Sequence, residues 1–483
     1  MEYTGGSLRR SSYVYFVGIK GTGVCAIAEL IKNMGKKIAG SDIGETFYTD
    51  AILDELGIPY HEYFDPEHIT GDIDLLVHSA AYSAENNPEI AEALRKSIPV
   101  LSYPEALGLY SAAFDSTGIA GVHGKTTTTA MCGALMQGLK LPAQILAGSA
   151  VSNFGGRSTL VLGDRYFIAE TCEYRKHFLS FHPKRVIMTS VESDHQDFFP
   201  DYESIRNAFI DYCRLIPAGG ALIYCADDPG ACDVAGVMSS SRQIDVIPYG
   251  FKAPGDFHIS DYRVGNGRAF FGIGAFDEEL VLQVPGRHQA QNAAAAIALA
   301  SVLRNEAWDE AGRMAVKKAL ENFRGSKRRS EIIGEAGGIL FMDDYGHHPT
   351  AIKSTLEGIR NFYPSRRLVV SFMSHTFTRT AALLDGFAGS LVSADVLFLH
   401  KIYASAREKF DGEISGKSIF DKVNDIADKN SELFYVDEPM DALEPLKKIL
   451  KKGDIFLTMG AGNNWPLGEA LYHYYQKTCG DAL

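Results

Sequence analysis

Short apolar runs alternate with amphipathic stretches along the chain, and glycine turns separate them. "YVYFVGIKGTGVCAIAELIKNMGKKIAGSD" (13–42) reads as a strand, a glycine turn, a helix and a second strand, the βαβ signature of a parallel sheet. "DIDLLVHSA" predicts a later strand, and "IPVLSYPEALGLY" a strand and helix that close a first block near residue 114. A second block opens with "STGIAGVHGKTTTTAMCGALMQGL", again strand, glycine turn and helix, and continues with the apolar strands "YFIAE", "RVIMTSV" and "GALIYC". Between residues 250 and 284 the pattern alternates and is rich in turns, which predicts a small antiparallel sheet. Two helices follow, the alanine-rich "GRHQAQNAAAAIALASVLR" and "WDEAGRMAVKKALENF". The third block begins in "GSKRRSEIIGEAGGILFMDDYGHHPTAIKSTLEGIRNFY", read as strand then helix, and "RRLVVSFM", "DVLFLHKI" and "DIFLTMGAG" add buried strands. The expected architecture is α/β in three domains, 1–114, 115–326 and 327–483, the first and last Rossmann-like and the middle one mostly parallel with a small antiparallel sheet.

Composition narrows the function classes. At 483 residues the chain exceeds one ordinary core, and 46% hydrophobic with 22% charged residues is ordinary for a folded protein. A net charge of −13 argues against nucleic acid or an anionic membrane as partner, yet a few amides and one lysine still suffice for a phosphate. Seven cysteines without CxxC spacing read as reduced thiols. The N-terminus lacks a signal-peptide apolar region and no run reaches membrane length, so a cytoplasmic protein is expected.

The glycine turns carry the candidate chemistry. Gly18, Gly21 and Gly23, with Thr22 between them, follow a strand and open a helix, which lets a backbone approach a diphosphate. Ser41 and Asp42 stand at the next strand end, where a carboxylate reaches a ribose or other hydroxyl, and His78 and Ser79 end a later strand. A nicotinamide oxidoreductase fits this block alone, as does a ligand-free turn. In "GVHGKTTTT" the glycines turn amides inward, Lys125 meets phosphate oxygens and the Thr126 hydroxyl faces Mg²⁺. Glu170, then Glu192, Asp194, His195 and Asp197, end neighbouring apolar strands and offer donors for a metal. His288 and Asn292 share a face of a helix start, where an amide could bond an adenine edge. Arg324, Lys327, Arg328 and Arg329 form a charge run at a domain junction, where one arginine could meet a γ-phosphate. In the third block Asp343, Asp344, Tyr345, His347 and His348 follow one strand, and His375 and Arg379 another. Two adjacent histidines without a third nitrogen or sulfur ligand do not make a zinc site, whereas Arg379 suits a small carboxylate.

In order and over essentially the whole chain, "GIKGTG…GSD…HSAAYSAENNPE", "GVHGKTTTT", "AETCEYRKHFLSFHP", "ESDHQDFF", "PGRHQAQNAAAA", "RGSKRR", "DDYGHHPT", "SHTFTRT", "KIYASARE" and "TMGAG" resemble the Mur ligases of peptidoglycan synthesis. The resemblance supplies a nucleotide loop of the GxxGK[ST] type, matched by Gly121, Gly124, Lys125 and Thr126, with His123 and Thr127 beside them. It implies an ATP-dependent ligase that joins L-alanine to the lactyl carboxylate of UDP-N-acetylmuramate through an acyl phosphate, as a monomer or homodimer. The alternative within the family attaches a preformed tripeptide. By position it implies Gly18, Gly21, Thr22, Gly23, Ser41, Asp42, His78 and Ser79 for the UDP-sugar, and Thr126, Glu170 and His195 for Mg²⁺ or Mn²⁺. His288, Asn292, Arg324 or Arg328, and Asp344 fall at ATP positions. Tyr345, His347, His375 and Arg379 fall near the amino acid, with Lys125, His195, His347 and Arg379 as catalytic candidates. Three domains would converge on the reaction and exclude water. The chain departs from the family pattern at Cys172, at Gln289 and at Met373, Ser374 and Thr376, and it has no lysine from Arg185 to Phe251 to be carbamylated.

Overall fold

The computed structural model describes residues 8, 10–196, 198–241, 243–404, 414–427 and 431–479; Asp197 and residues 405–408 of "KIYASARE" lie outside them. The N-terminal sheet has five parallel strands in the spatial order Tyr60–His61, Lys37–Ser41, Tyr13–Val17, Leu75–His78, Val100–Ser102. Chain direction along the sheet reverses between Tyr13–Val17 and Leu75–His78. The crevice at such a reversal is where open α/β sheets take ligands, and Gly18 and Ser79 both stand there. The apolar run "YVYFV" is buried from Val14 to Val17, as a central parallel strand requires.

The middle sheet has seven strands: Asp245–Tyr249, Ala221–Cys225, Arg185–Met188, Asp115–Ala120, Tyr166–Glu170, Ala143–Val151 and the antiparallel edge Arg157–Val161. Asp115–Ala120 is central, with Arg185–Met188 on one side and Tyr166–Glu170 on the other. This parallel pairing sends the glycine loop, Glu170 and the Thr189–Glu192 segment to one carboxyl edge, the convergence the strand-end positions predict. The predicted turn-rich stretch is a three-stranded antiparallel sheet, Ile259–Gly265, Arg268–Ile273 and Phe276–Leu282.

The C-terminal sheet runs Glu331–Ala336, Ile339–Asp344, Asp454–Met459, Arg367–Phe372, Val396–Leu399, Glu432–Tyr435. Here the structure corrects the reading of "SEIIGEAGGILFMDD" as one strand. It is an antiparallel hairpin turning at Gly337 and Gly338, both at positive φ. One face of this sheet buries Met342, Leu356, Val370 and Leu457, and the other Phe341, Val369, Phe398 and Leu471.

Contacts divide the chain into two units. One holds residues up to 192, 205–254 and 295–319; the other holds 193–204, 255–294 and 320–483. In the first unit, Glu29 on helix Thr22–Asn33 accepts from Arg157 and Thr159 of the middle sheet's edge strand, and Arg157 Nη2 lies 2.6 Å from Glu55. Two α/β sheets are thereby joined through a network buried at Glu29 and open to solvent at Glu55.

Candidate active site

At the first glycine turn, Gly18 is at φ +79° and the helix opening at Thr22 has no side-chain cap, which leaves its first amides to a ligand. Asp42 accepts from the N–H of Lys20 at 2.7 Å and of Ile43 at 2.8 Å, and burial raises its carboxyl above the usual range against those bonds. The buried Lys20 ammonium pairs with Glu62 at 2.8 Å and donates to the Glu45 carbonyl at 3.0 Å, tying down the segment after Asp42. Thr22 Oγ1 receives the Tyr48 hydroxyl at 3.0 Å. Ser41 is fully buried and its hydroxyl donates to Glu89, a buried carboxylate that His68 also approaches at 2.7 Å. Ser41 therefore braces the strand end, while Asp42 beside it faces the turn. His78 is half-buried with Nδ1 2.9 Å from the Ser79 carbonyl.

The second turn is bolted to the neighbouring strand. The N–H of Val122 donates to the Ser190 carbonyl at 3.1 Å, that of His123 to Ser190 Oγ at 2.9 Å, and Thr189 Oγ1 donates to the Ala120 carbonyl at 3.2 Å. Gly124, at φ +80°, opens helix Lys125–Gly138, again with no side-chain cap. Lys125 Nζ lies 2.9 and 3.1 Å from the two oxygens of Glu173, which is 2% exposed, and also donates to the Gly121 carbonyl. Burial pulls the ammonium's pKa down, but Glu173, with Cys172 and Glu170 nearby, raises it overall, so Lys125 stays charged. Thr126 and Thr127 are buried in the first helical turn. Glu170 Oε2 accepts the Gly148 N–H at 2.8 Å. A cavity of about 150 Å³ lies between Gly23 and Tyr103 of the first sheet's loops and Gly148, Glu170, Cys172 and Phe178 of the second. It connects the first glycine turn to the Glu170 strand end.

In the second unit, Gln289 bridges the predicted adenine pair, with Nε2 3.1 Å from His288 Nε2 and Oε1 accepting from Asn292 Nδ2 at 3.3 Å. Burial lowers the His288 pKa to about 4, so the ring is neutral. Arg328 is committed: Nε donates to Asp343 at 2.9 Å and Nη2 to the Gly460 carbonyl at 2.6 Å, whereas Arg324 is exposed. Asp344 accepts the N–H groups of Ser330 at 2.6 Å and Gly346 at 2.7 Å, with burial raising its pKa. His347 Nδ1 donates to the Tyr345 carbonyl at 3.0 Å, which leaves Nε2 as the basic nitrogen. Burial first, then Arg379, holds the His347 pKa well below the ordinary histidine value. His348 caps helix Pro349–Phe362 through the Thr350 N–H. His375 is half-buried, its ring 5.9 Å from that of Tyr403. Arg379 donates from Nε and Nη2 to Asp194 Oδ1 at 3.1 and 2.8 Å, both residues being buried. His195, at φ +54°, has its ring 3.7 Å from Asp194 Oδ2.

Residues 13–115 match the family described as Mur ligase family, catalytic domain; residues 119–300 match the Mur ligase middle domain; residues 328–462 match the Mur ligase, glutamate ligase domain. The chain is 47% identical to UDP-N-acetylmuramate--L-alanine ligase of Treponema pallidum (strain Nichols), over 96% of this chain and 97% of that protein. It is 38% identical to the protein of the same name from Borreliella burgdorferi, over 95% and 98%. The chain belongs to the Mur ligase family. Its fold matches the crystal structure of UDP-N-acetylmuramate-alanine ligase from Thermotoga maritima, with a TM-score of 0.75 and 25% identity over 96% of this chain and 99% of that one. A murein peptide ligase from Psychrobacter arcticus shares the fold at a TM-score of 0.66 and 22% identity, over 98% and 99%.

In this Mur ligase many of the motif residues fall just after the carboxyl ends of parallel strands, but their partners were not all visible in the motifs. Glu173 as the counter-ion of Lys125, Lys20 as an anchor and Tyr103 as a cavity wall carry no spacing signal. Asp194 stood in the acidic cluster as a candidate metal donor, whereas its bond to Arg379, which crosses 185 residues, carries no signal in the sequence.

Proposed function

We propose that this Mur ligase joins L-alanine to the lactyl carboxylate of UDP-N-acetylmuramate, using ATP and releasing ADP and phosphate. The observation that carries the reading is Lys125, charged and held at the mouth of a glycine loop, in a chain matched along 96% of its length by relatives of that name. The carboxylate attacks the γ-phosphate, giving an acyl phosphate and ADP. Lys125 would stabilise charge on the transferring group. The alanine amine then attacks the acyl carbon, and the tetrahedral intermediate collapses to amide and phosphate. His347 is the base candidate on its tautomer, which the Tyr345 carbonyl sets so that Nε2 is the accepting nitrogen; its depressed pKa keeps the ring neutral but weakens it as a base.

The Thr126 hydroxyl, in the first turn of helix Lys125–Gly138, and the Glu170 carboxylate, at the end of the strand beside the one that precedes the loop, are hard oxygen donors and fit Mg²⁺; His195, the third candidate by position, belongs to the second unit. When bound, Mg²⁺ supplies charge neutralisation on the phosphates. Asp42 and the uncapped amides after Gly21 would hold the UDP moiety, and His288, Asn292 and Asp344 the nucleotide. In chain order, 1–114 would bind the UDP-sugar, 115–326 ATP and 327–483 the amino acid, with Asp344 of the last reaching the nucleotide, in a cytoplasmic monomer or homodimer. ADP release measured with UDP-N-acetylmuramate and either L-alanine or a preformed tripeptide tests the reading. Turnover with L-alanine supports it, and turnover with the tripeptide alone would overturn it.

A further inference from the structure

An α-amino acid presents a carboxylate and an ammonium group on one carbon, so its binding site needs a cation and an anion side by side. Arg379 and Asp194 are such a pair. Arg379 is 6% exposed and Asp194 2% exposed. A guanidinium facing a carboxylate can make two parallel bonds, one to each oxygen. Here Nε and Nη2 both converge on Oδ1, which also takes the His195 N–H at 2.7 Å. Oδ1 is thus saturated. Oδ2 sits 3.7 Å from His195 Nε2, beyond hydrogen-bond length, and Nη1 of Arg379 stands outside the pair.

A lone buried arginine would accept any small carboxylate. The pair carries no net charge, so its matched ligand is a zwitterion. It also separates a free amino acid from the N-terminus of a peptide, whose first α-carboxyl is an uncharged amide.

Resting on the function proposed above, we propose that Asp194 is an amino-acid recognition residue: through Oδ1 it fixes Arg379 for the α-carboxylate, and through Oδ2 it accepts the α-ammonium group of the same molecule. The experiment uses the full-length protein with saturating MgATP and UDP-N-acetylmuramate, and measures ADP release as L-alanine is varied. It compares wild type, Asp194→Asn and Asp194→Glu, with melting curves for each. The expected result is a KM for L-alanine raised by about tenfold or more in Asp194→Asn, the loss of one charge-assisted hydrogen bond, with the KM values for ATP and UDP-N-acetylmuramate within about twofold. Asp194→Glu, which keeps the charge, recovers part of the loss. An unchanged KM for L-alanine, or all three KM values rising together, would overturn the role. Should Asp194→Asn fail to fold, the same comparison of KM values in Asp194→Glu decides. Wild type requiring a tripeptide would overturn the function itself, whereas wild type using L-alanine with an unselective variant overturns only the role of Asp194.

Discussion

Two glycines three residues apart in "GIAGVHG" make opposite predictions. Gly121 is at φ +140°, and a Cβ there would run into Thr189 Oγ1 and come within 2.8 Å of the Ser190 amide nitrogen and 3.0 Å of its carbonyl oxygen. A left-handed non-glycine residue costs about 1–3 kcal/mol. Overpacking against a neighbour adds about 1–3 kcal/mol. The neighbour cannot yield cheaply, because Thr189 and Ser190 are the groups that hold the loop through Ala120, Val122 and His123. Gly121→Ala therefore relieves its strain by moving the loop, at a cost of about 2–6 kcal/mol to the phosphate-ready conformation.

Gly118 lies within the central strand, paired to Val186 and Ala169, and its Cβ would collide with the hydroxyl of the buried Tyr212. That strain falls on the packing of helix Tyr202–Cys213 and leaves the loop alone. Calorimetric titration with ADP and Mg²⁺, beside melting curves, separates the two. Since about 1.4 kcal/mol is a factor of ten, the lower bound for Gly121→Ala already weakens ADP binding by about thirtyfold. Gly118→Ala should melt earlier and bind ADP within about threefold of wild type. ADP affinity in Gly121→Ala equal to wild type, or an equal loss in folded Gly118→Ala, would refute the reasoning.

Removing the Lys125 charge abolishes ADP release, and Lys125→Met also strands the buried Glu173, costing about 3–5 kcal/mol. The double variant Lys125→Met with Glu173→Gln should regain the melting temperature without regaining ADP release; a double variant as unstable as the single one contradicts the pairing. His400 is 1% exposed, its Nδ1 donating to the Val436 carbonyl and its Nε2 accepting from Ser371, and burial lowers its pKa from 6.5 to about 4. The unfolded state then binds more protons in that interval, so stability present above pH 6.5 is lost as pH falls towards 4, by about 3 kcal/mol at about 1.4 kcal/mol per unit. Urea titrations at pH 7 and pH 4.5 should show a smaller loss for His400→Gln than for wild type, and equal losses would dismiss the assignment. Asp42→Asn should raise the KM for UDP-N-acetylmuramate by about tenfold, the worth of a charged hydrogen bond, whereas Ser41→Ala lowers the melting temperature with little change in KM. The reverse order would return Ser41 to the ligand.

The parts of this site that were legible are those whose chemistry is local. A glycine loop followed by Lys125 and Thr126 is consecutive in the chain, and an apolar run ending in a polar residue announces a strand end at the carboxyl edge. The hairpin at 331–344 was missed because two apolar runs flank Gly337 and Gly338 without a polar break. Strand Ala143–Val151 escaped for a related reason, as "AQILAGSAV" is small and weakly alternating. Ser41 was placed correctly at its strand end, but which way its hydroxyl turns depends on Glu89, 48 residues away. The charged pairs were least legible of all. With 47 lysines and arginines and 60 aspartates and glutamates, sequence alone offers thousands of pairings, most of them worth little in water. Burial is what selects among them. Lys125 with Glu173 and Arg379 with Asp194 each place opposite charges where neither can be left alone. Ligands that bring their own charge to such places have a partner to displace or to join. Glu173 holds the lysine that a phosphate would claim, and Asp194 holds the arginine that a carboxylate would claim. On the function and the Asp194 role proposed above, the counter-ions of the motif residues would set the selectivity of this Mur ligase as much as the motifs do.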